Sequence, residues 1–399
     1  MRLLPPALSA LSLLACSLHP DKIPDHELFS DDAAALVSNQ DELSFAVVGN
    51  VRAAIPGLDR LARGVPDDAA PTRTVRALSD MANRREIGFV ALMGDTVRWA
   101  SDDEWAAFDK AFANTLSGQT QPDAEGYRIP VIPVVGDREI AGDKDLVGME
   151  GAYPGYGADI GYGRVASWSS FDVEVGEGTW RFVVLDTNKK KLGSRWREQI
   201  GWIPRAVRGS YDHLLVFMHH SRVTLARGAD MNPDGVPQEL IDEVEQHAPL
   251  LKLRAVFSAG AHASELYLPE GRLGVGYITA GGGGAPAQEL ERWGNGEPSG
   301  IQDLSSVQLE ARYDLALQQL VARRAQAEDW PDSVLDKAQA MGEWEGFTGA
   351  YDPAYLPTYG LWTATLAGPD LRLGWVELLQ DGTREERFHV NWIDGEGWK

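Results

Sequence analysis

The chain has 399 residues, 44% of them hydrophobic and 13 of them tryptophan, which is enough to build a large core. Its formal net charge of −22 argues against nucleic acid as a partner and against attraction to anionic lipid. Cys16 is the single cysteine, so no internal disulfide can form and stability has to come from packing.

In chain order, Met1-Arg2 is a minimal basic start, residues 3–15 are largely apolar, and Leu13-Leu-Ala-Cys16 resembles the lipobox of bacterial lipoproteins. That resemblance implies removal of residues 1–15 as a signal peptide and diacylglyceryl attachment at Cys16. It further implies a lipid-anchored place in the bacterial cell envelope, with Ser17 directing the chain to the outer membrane. The apolar run is too short to span a bilayer and is broken by Pro5-Pro6. Residues 16–42, rich in Asp, Ser and Pro, read as an acidic tether.

The body then alternates. A strand at 44–49 is followed by a helix near 71–84, a strand at 88–93, a helix near 101–116 and a strand at 130–135, a rhythm that predicts a parallel sheet covered by helices. Residues 166–186 supply two strands, 194–207 a helix, and 213–218 and 253–258 two more strands. Asp230-Met-Asn-Pro-Asp-Gly235 imitates the start of a calcium loop, but Ile241 stands where a bidentate acid belongs, so a surface turn is expected. Residues 308–323 read as an amphipathic helix with Leu309, Tyr313, Ala316, Leu317 and Leu320 on one face. The period-two segments around Gln380-Asp-Gly-Thr383 read as a hairpin.

Five blocks have the same form, an apolar strand running into a polar loop. They are Phe45-Ala-Val-Val-Gly-Asn-Val-Arg52, Ala91-Leu-Met-Gly-Asp-Thr96, Ile132-Pro-Val-Val-Gly-Asp-Arg-Glu139, Leu214-Leu-Val-Phe-Met-His-His-Ser221 and Ala255-Val-Phe-Ser-Ala-Gly-Ala-His262. In a parallel sheet such loops gather at the carboxyl ends of the strands. Two-metal phosphoryl transfer needs Asp, Asn and His drawn from several such loops.

In order and spacing the blocks resemble the calcineurin-like metallophosphoesterases, including the purple acid phosphatase branch. Three further segments are similar to that family's: Phe182-Val-Val-Leu-Asp-Thr-Asn188, Arg197-Glu-Gln-Ile-Gly-Trp-Ile203 and Tyr277-Ile-Thr-Ala-Gly-Gly-Gly-Gly-Ala-Pro286. The resemblance implies a four-layer α/β/β/α sandwich over 43–289, a helical insertion at 290–349 and strands at 350–399 that complete the sandwich. Gly136 and Gly281 to Gly284 read as turn glycines with positive φ.

Carried over position by position, the site is altered. Asn50 stands at a metal-binding Asp and Arg52 at a metal-binding His. Asp95 keeps the place of the bridging carboxylate. Asp137 replaces a ligand Asn, and Arg138 the His that assists the leaving group. His219 matches a ligand and His220 its partner, Gly260 replaces a ligand His, and His262 matches another. The remaining metal candidates are therefore Asp95, Asp137, His219 and His262. Arginine offers only donors, so Arg52 and Arg138 are expected to occupy the ions' space and neutralise Asp95 and Asp137. Three classes of function fit this pattern. One is a pseudophosphatase that binds a phosphorylated ligand or an envelope protein without a metal. Another is a divergent hydrolase with one Mn, Fe or Zn ion, and the last is a purely structural lipoprotein.

Overall fold

Alternate side chains of strand β1 (Glu42–Val48) enter two different cores: Leu43, Phe45 and Val47 point one way, and Ala46 and Val48 the other. A strand buried on both faces must lie between two layers. The computed structural model, which describes residues 40–53, 67, 69–112, 131–142, 146, 167–222, 224, 226, 236–249, 252–268, 275–286, 354–356, 358–394 and 396–398, shows what those layers are.

In chain order the elements are β1, α1 (Ala70–Asn83), β2 (Phe89–Leu92), α2 (Asp102–Phe112), β3 (Val131–Pro133), β4 (Ser169–Val175), β5 (Gly178–Leu185), α3 (Lys189–Leu192), α4 (Arg195–Ala206), β6 (His213–Met218), α5 (Val236–His247), β7 (Leu253–Ser258), β8 (Ser264–Tyr267), β9 (Gly276–Ala280), β10 (Ala354–Leu356), β11 (Gly360–Ala367), β12 (Asp370–Leu378), β13 (Arg384–Ile393) and β14 (Gly397–Trp398). The strands form two seven-stranded sheets, ordered β14-β13-β12-β11-β1-β2-β3 and β10-β8-β9-β7-β6-β5-β4.

The sheets meet through aromatic side chains. Phe45 stacks on Phe89 at 4.4 Å in one sheet, Phe217 on Phe257 at 4.9 Å in the other, and Phe45 meets Phe182 edge-on across the seam at 5.7 Å. Val75, Leu78 and Met81 of α1 cover the outer face of the first sheet, and Trp202, Ile203, Leu240 and Val244 of α4 and α5 cover that of the second. This is a four-layer α/β/β/α sandwich, the architecture that the resemblance implies.

Both sheets are mixed, not purely parallel as the β-then-α rhythm predicts. β1, β2 and β3 are parallel, as are β5, β6, β7 and β9. β11 joins β1 antiparallel, and β12 follows it as a hairpin partner. The expected hairpin at 380–383 is the β12–β13 turn, where Gly382 has φ +86° and Asp381 accepts hydrogen bonds from the backbone and hydroxyl of Thr383. Cys16 with its tether up to residue 39, the calcium-like segment 230–235 and the insertion 290–349 lie outside the described residues.

At the amino end of the second sheet, His213 is buried with its ring 4.3 Å from Trp180, and Arg254 Nε donates to its Nδ1 at 3.0 Å. Burial first, and then the Arg254 charge, push the imidazole pKa down to about 4. The fold therefore favours neutral His213, and this contribution is complete above about pH 6.5 and lost as the pH falls toward 4. The buried acids Glu139 and Asp186, whose pKa values burial raises, act with the opposite sign. We expect the stability difference between wild type and His213→Phe, measured by urea unfolding at a series of pH values, to be flat above about pH 6.5 and to shrink below it. A difference independent of pH would refute the assignment.

Candidate functional site

The loops that follow β1, β2, β3, β5, β6, β7 and β9 meet at one edge of the sandwich. Backbone bonds stitch them together: Gly49 N to Ala280 O at 2.7 Å, Asn50 N to Gly94 O at 2.9 Å, and Gly260 N to His219 O at 2.6 Å. The glycines at 281 and 283 are needed for close approach and not, as read from sequence, for positive φ, which neither they nor Gly136 adopts. A Cβ on Gly281 would sit 1.6 Å from Ala261 O, and one on Gly283 2.4 Å from Gly49 O. The loops are thus pressed together more tightly than any side chain allows.

Asn50 acts as a staple. It is fully buried at φ +54°, a conformation that Asn tolerates, and its Nδ2 donates to Ala259 O at 2.5 Å and to Ala261 O and Gly281 O at 3.3 Å each. Three surrounding carbonyls dictate that the nitrogen faces them, and Oδ1 is left without a hydrogen-bond partner.

Asp95, also at φ +54°, is where the charges converge. Its Oδ2 lies 3.4 Å from Arg52 Nε and 3.6 Å from Arg138 Nε. Its Oδ1 accepts the Arg138 backbone N–H at 3.0 Å and faces His219 Nε2 at 3.6 Å. Arg52 reaches further, bringing Nη2 to 3.3 Å from His262 Nε2. The other ring nitrogen of His262 lies 3.2 Å from Pro286 O, so Nδ1 carries the proton and Nε2 accepts from the guanidinium. One arginine therefore bridges the carboxylate and the imidazole that the family resemblance assigns to an ion.

Arg138 tops the site. Its guanidinium lies 5.3 Å from the ring of Trp99, a geometry that favours cation–π attraction, and Trp99 is 44% exposed. The expected pairing of an arginine with Asp137 does not form. Asp137 is a half-exposed side chain, 54% accessible, that pairs instead with His220 Nε2 at 3.4 Å. Partial burial opposes its ionisation, but the His220 contact and the charges of His219 and Arg138 outweigh it and hold the carboxyl well below the usual range. Thr187 Oγ1 lies 2.5 Å from His220 Nδ1, which leaves His220 Nε2–H for Asp137. Gly260 lies against His220: a Cβ there would come within 3.1 Å of His220 Cα, so this loop is shaped around the absence of a side chain.

Two buried acids support this surface, and neither was assigned a role from sequence. Glu139 accepts the backbone N–H groups of Asp95, Thr96 and Gly136 at 2.9, 2.7 and 2.9 Å and the Thr96 hydroxyl at 2.7 Å. Burial, and then repulsion by Asp95, nevertheless raise its pKa. Asp186 accepts from Ser167 Oγ, Asn188 N and Asn188 Nδ2, while Gln199 exchanges two hydrogen bonds of 2.8 Å with the Asp186 backbone. Gln199 thereby fixes the loop that carries Thr187 to His220. Glu139 ended a recognised block, and Trp99 stood four residues after Asp95, but neither position announced its contact.

The donor set decides whether a metal fits. The half built from Asn50, Asp95 and His262 does not fit a divalent ion. Arg52 takes a lone pair from both Asp95 and His262, and Asn50 is turned to carbonyls. The other half keeps Asp95, Asp137 and His219, but Asp137 is drawn to His220. Among the described residues no three His, Cys, Asp or Glu side chains are arranged to hold a metal.

Fold and site together define a four-layer α/β/β/α sandwich in which Arg52, Arg138 and His219 gather around Asp95 at one edge. No family model matches the sequence, and neither does any curated protein. Similar solved structures include GAP50, the anchor in the inner membrane complex of Plasmodium, at 12% identity, 87% coverage of each chain and TM-score 0.47. They also include purple acid phosphatase PPD1 of yellow lupin, Lupinus luteus, at 13% identity, 88% of this chain, 54% of that one and TM-score 0.49. PhoD has 10% identity over 91% of this chain and 72% of its own, with TM-score 0.49. This chain spans about half the length of the lupin phosphatase.

Breaking a buried ion pair by removing one partner typically costs about 3–5 kcal/mol, because a charge is left desolvated and unanswered. Arg52→Ala is expected to lose stability of that order in urea unfolding. Adding Asp95→Asn to it should recover part of the loss. An Arg52→Ala protein as stable as wild type would show that the bridge contributes nothing.

Proposed function

We propose that this chain is an envelope-anchored, phosphatase-fold binding protein in which a fixed arginine replaces an exchangeable ion, and that its cleft takes an anionic group without hydrolysing it. The observation that carries this is the Arg52 bridge, with Nε on Asp95 and Nη2 on His262. A guanidinium can neutralise a carboxylate and hold an imidazole, but it has no coordination site to offer and cannot lower the pKa of a bound water. Arg138, partly exposed above Asp95 and stacked on Trp99, is the cation available to an incoming phosphoryl or carboxylate group of a small ligand or an envelope protein.

A second reading is favoured by His219. Its Nδ1–H is spent on Met93 O at 2.8 Å, which turns Nε2 toward Asp95 at 3.6 Å. That is how a metal-ligating histidine is oriented. A divergent hydrolase using one Mn, Fe or Zn ion on Asp95, Asp137 and His219 would exploit it.

Elemental analysis separates the two. The chain, purified without chelators and reloaded with Mn, Fe and Zn, is expected to hold far less than one ion per molecule and to bind phenyl phosphate by calorimetry without turnover. Arg138→Ala should weaken that binding roughly tenfold, the size of one charge-assisted contact. Near-stoichiometric metal that disappears on changing Asp95 and His219 to Ala would instead establish the hydrolase.

The anchor belongs to the same proposal, on the form of Leu13-Leu-Ala-Cys16. Expression in a Gram-negative host with labelled palmitate should label the wild type and not Cys16→Ala. Equal labelling of both would remove Cys16 as the attachment point.

A further inference from the structure

The net charge of −22 hides an uneven distribution. Between residues 190 and 210 the exposed charged residues are Lys190, Lys191, Arg197, Arg205 and Arg208, against the lone acid Glu198. Arg197, Gly201, Arg205 and Arg208 follow at spacings of four, four and three, which places them on one face of α4 and its exit. α3, which carries Lys191, packs against the start of that helix. The side chains of Lys191 and Arg197 have no ion-pair or hydrogen-bond partner among the described residues. The acids of the neighbouring α5 are answered locally: Glu239 by Lys189, Asp242 and Glu245 by Arg222, and Glu243 by His247.

Gly201 is a second, independent observation. Glycine in a helix interior is less stable than alanine, and a Cβ built on Gly201 meets nothing within 4 Å. Among the described residues no contact calls for glycine there. A bare backbone in the middle of the stripe lets another surface come close between the arginines.

What surface it is follows from what the stripe lacks. Folded protein partners are held by aromatic or aliphatic anchors at the centre of the interface, and no exposed residue between 190 and 210 is aromatic or aliphatic. Purely electrostatic recognition along about 18 Å of helix suits a flat, densely anionic surface. We propose that the outward face of α4, with Lys191 beside it, lies on an anionic phospholipid membrane by charge alone, without insertion. The rest of the acidic molecule does not veto this, because at physiological salt charges farther than about 8 Å away are largely screened. The inference rests on the envelope reading only for the source of the membrane.

Residues 1–16 contribute none of the described elements, so the test uses the chain from Ser17 onward and is independent of acylation. In co-sedimentation it should bind vesicles of equal parts phosphatidylglycerol and phosphatidylcholine, ignore phosphatidylcholine alone, and be released by high salt. Lys191→Glu combined with Arg197→Glu should lower the affinity on the order of tenfold or more, and Glu198→Lys should raise it. Gly201→Ala should raise Tm yet weaken vesicle binding, which a merely structural glycine would not do. Absence of binding to the anionic vesicles, or binding indifferent to the double charge reversal, would overturn the proposal. Equally tight, stripe-dependent capture of a single-stranded DNA oligonucleotide would overturn it in favour of nucleic acid.

Discussion

The carboxylate of Asp95 gathers two guanidinium groups and an imidazole at the seam between the two sheets. The loops after β1, β3 and β6 each bring a group to it. Its neighbour Gly94 is pressed so close to Gly136 and His219 that a Cβ there would come within 2.7 Å of both. Glu139 holds the Asp95 backbone from below, and Asn50 binds the loop beside it to two loops of the second sheet. A single buried negative charge in this position cannot be left alone, since an unpaired charge in a dry environment is far costlier than any loop rearrangement.

Two kinds of cation could answer it. Metal ions would demand ligands on every side and would come and go with conditions. Arginine is covalently part of the chain, keeps its charge at any accessible pH and spreads it over a planar group that can touch two partners at once. Arg52 uses this property, reaching Asp95 and His262 together. Around it, His262 accepts a hydrogen bond from Arg52, and Asp137, which neither arginine holds, pairs with His220 at the mouth. Placing an ion on the Arg52 side would require expelling a guanidinium from between Asp95 and His262 while Arg138 stays beside the carboxylate.

The same strands serve different purposes at their two ends. At their carboxyl ends the loops build a charged, closely packed cleft. At the amino end of the second sheet, His213, Trp180, Arg254 and Trp392 form a cluster in which the Arg254 guanidinium lies 3.8 Å from the Trp392 ring and burial keeps His213 neutral. The layer outside that sheet is different again. α4 buries Trp196, Trp202 and Ile203 against the strands while presenting arginines and Gly201 to solvent. Opposite faces of one amphipathic helix thus carry the core and a charged surface.

Much of this was legible in sequence because it rests on local periodicity. The apolar runs ending at Val48, Leu92, Met218 and Ser258 are strands within a residue or two of where hydrophobicity alone places them. The helix with Gln199 and Trp202 is likewise visible in its pattern. The five strand-to-loop blocks, read in order, pointed to a layered α/β sandwich and to the residues that line one edge of it. What the sequence determined by itself was therefore which side chains arrive at the site. What only the tertiary structure decided was which partner each one takes: that both arginines turn to Asp95 and neither to Asp137, that Asn50 staples backbone, that Gly281 and Gly283 exist for close approach, and that Glu139 and Asp186 carry the loops. Periodicity follows from the repeat of the backbone, whereas pairing among buried charges depends on distances and desolvation set only when loops from opposite sheets are brought within a few ångströms.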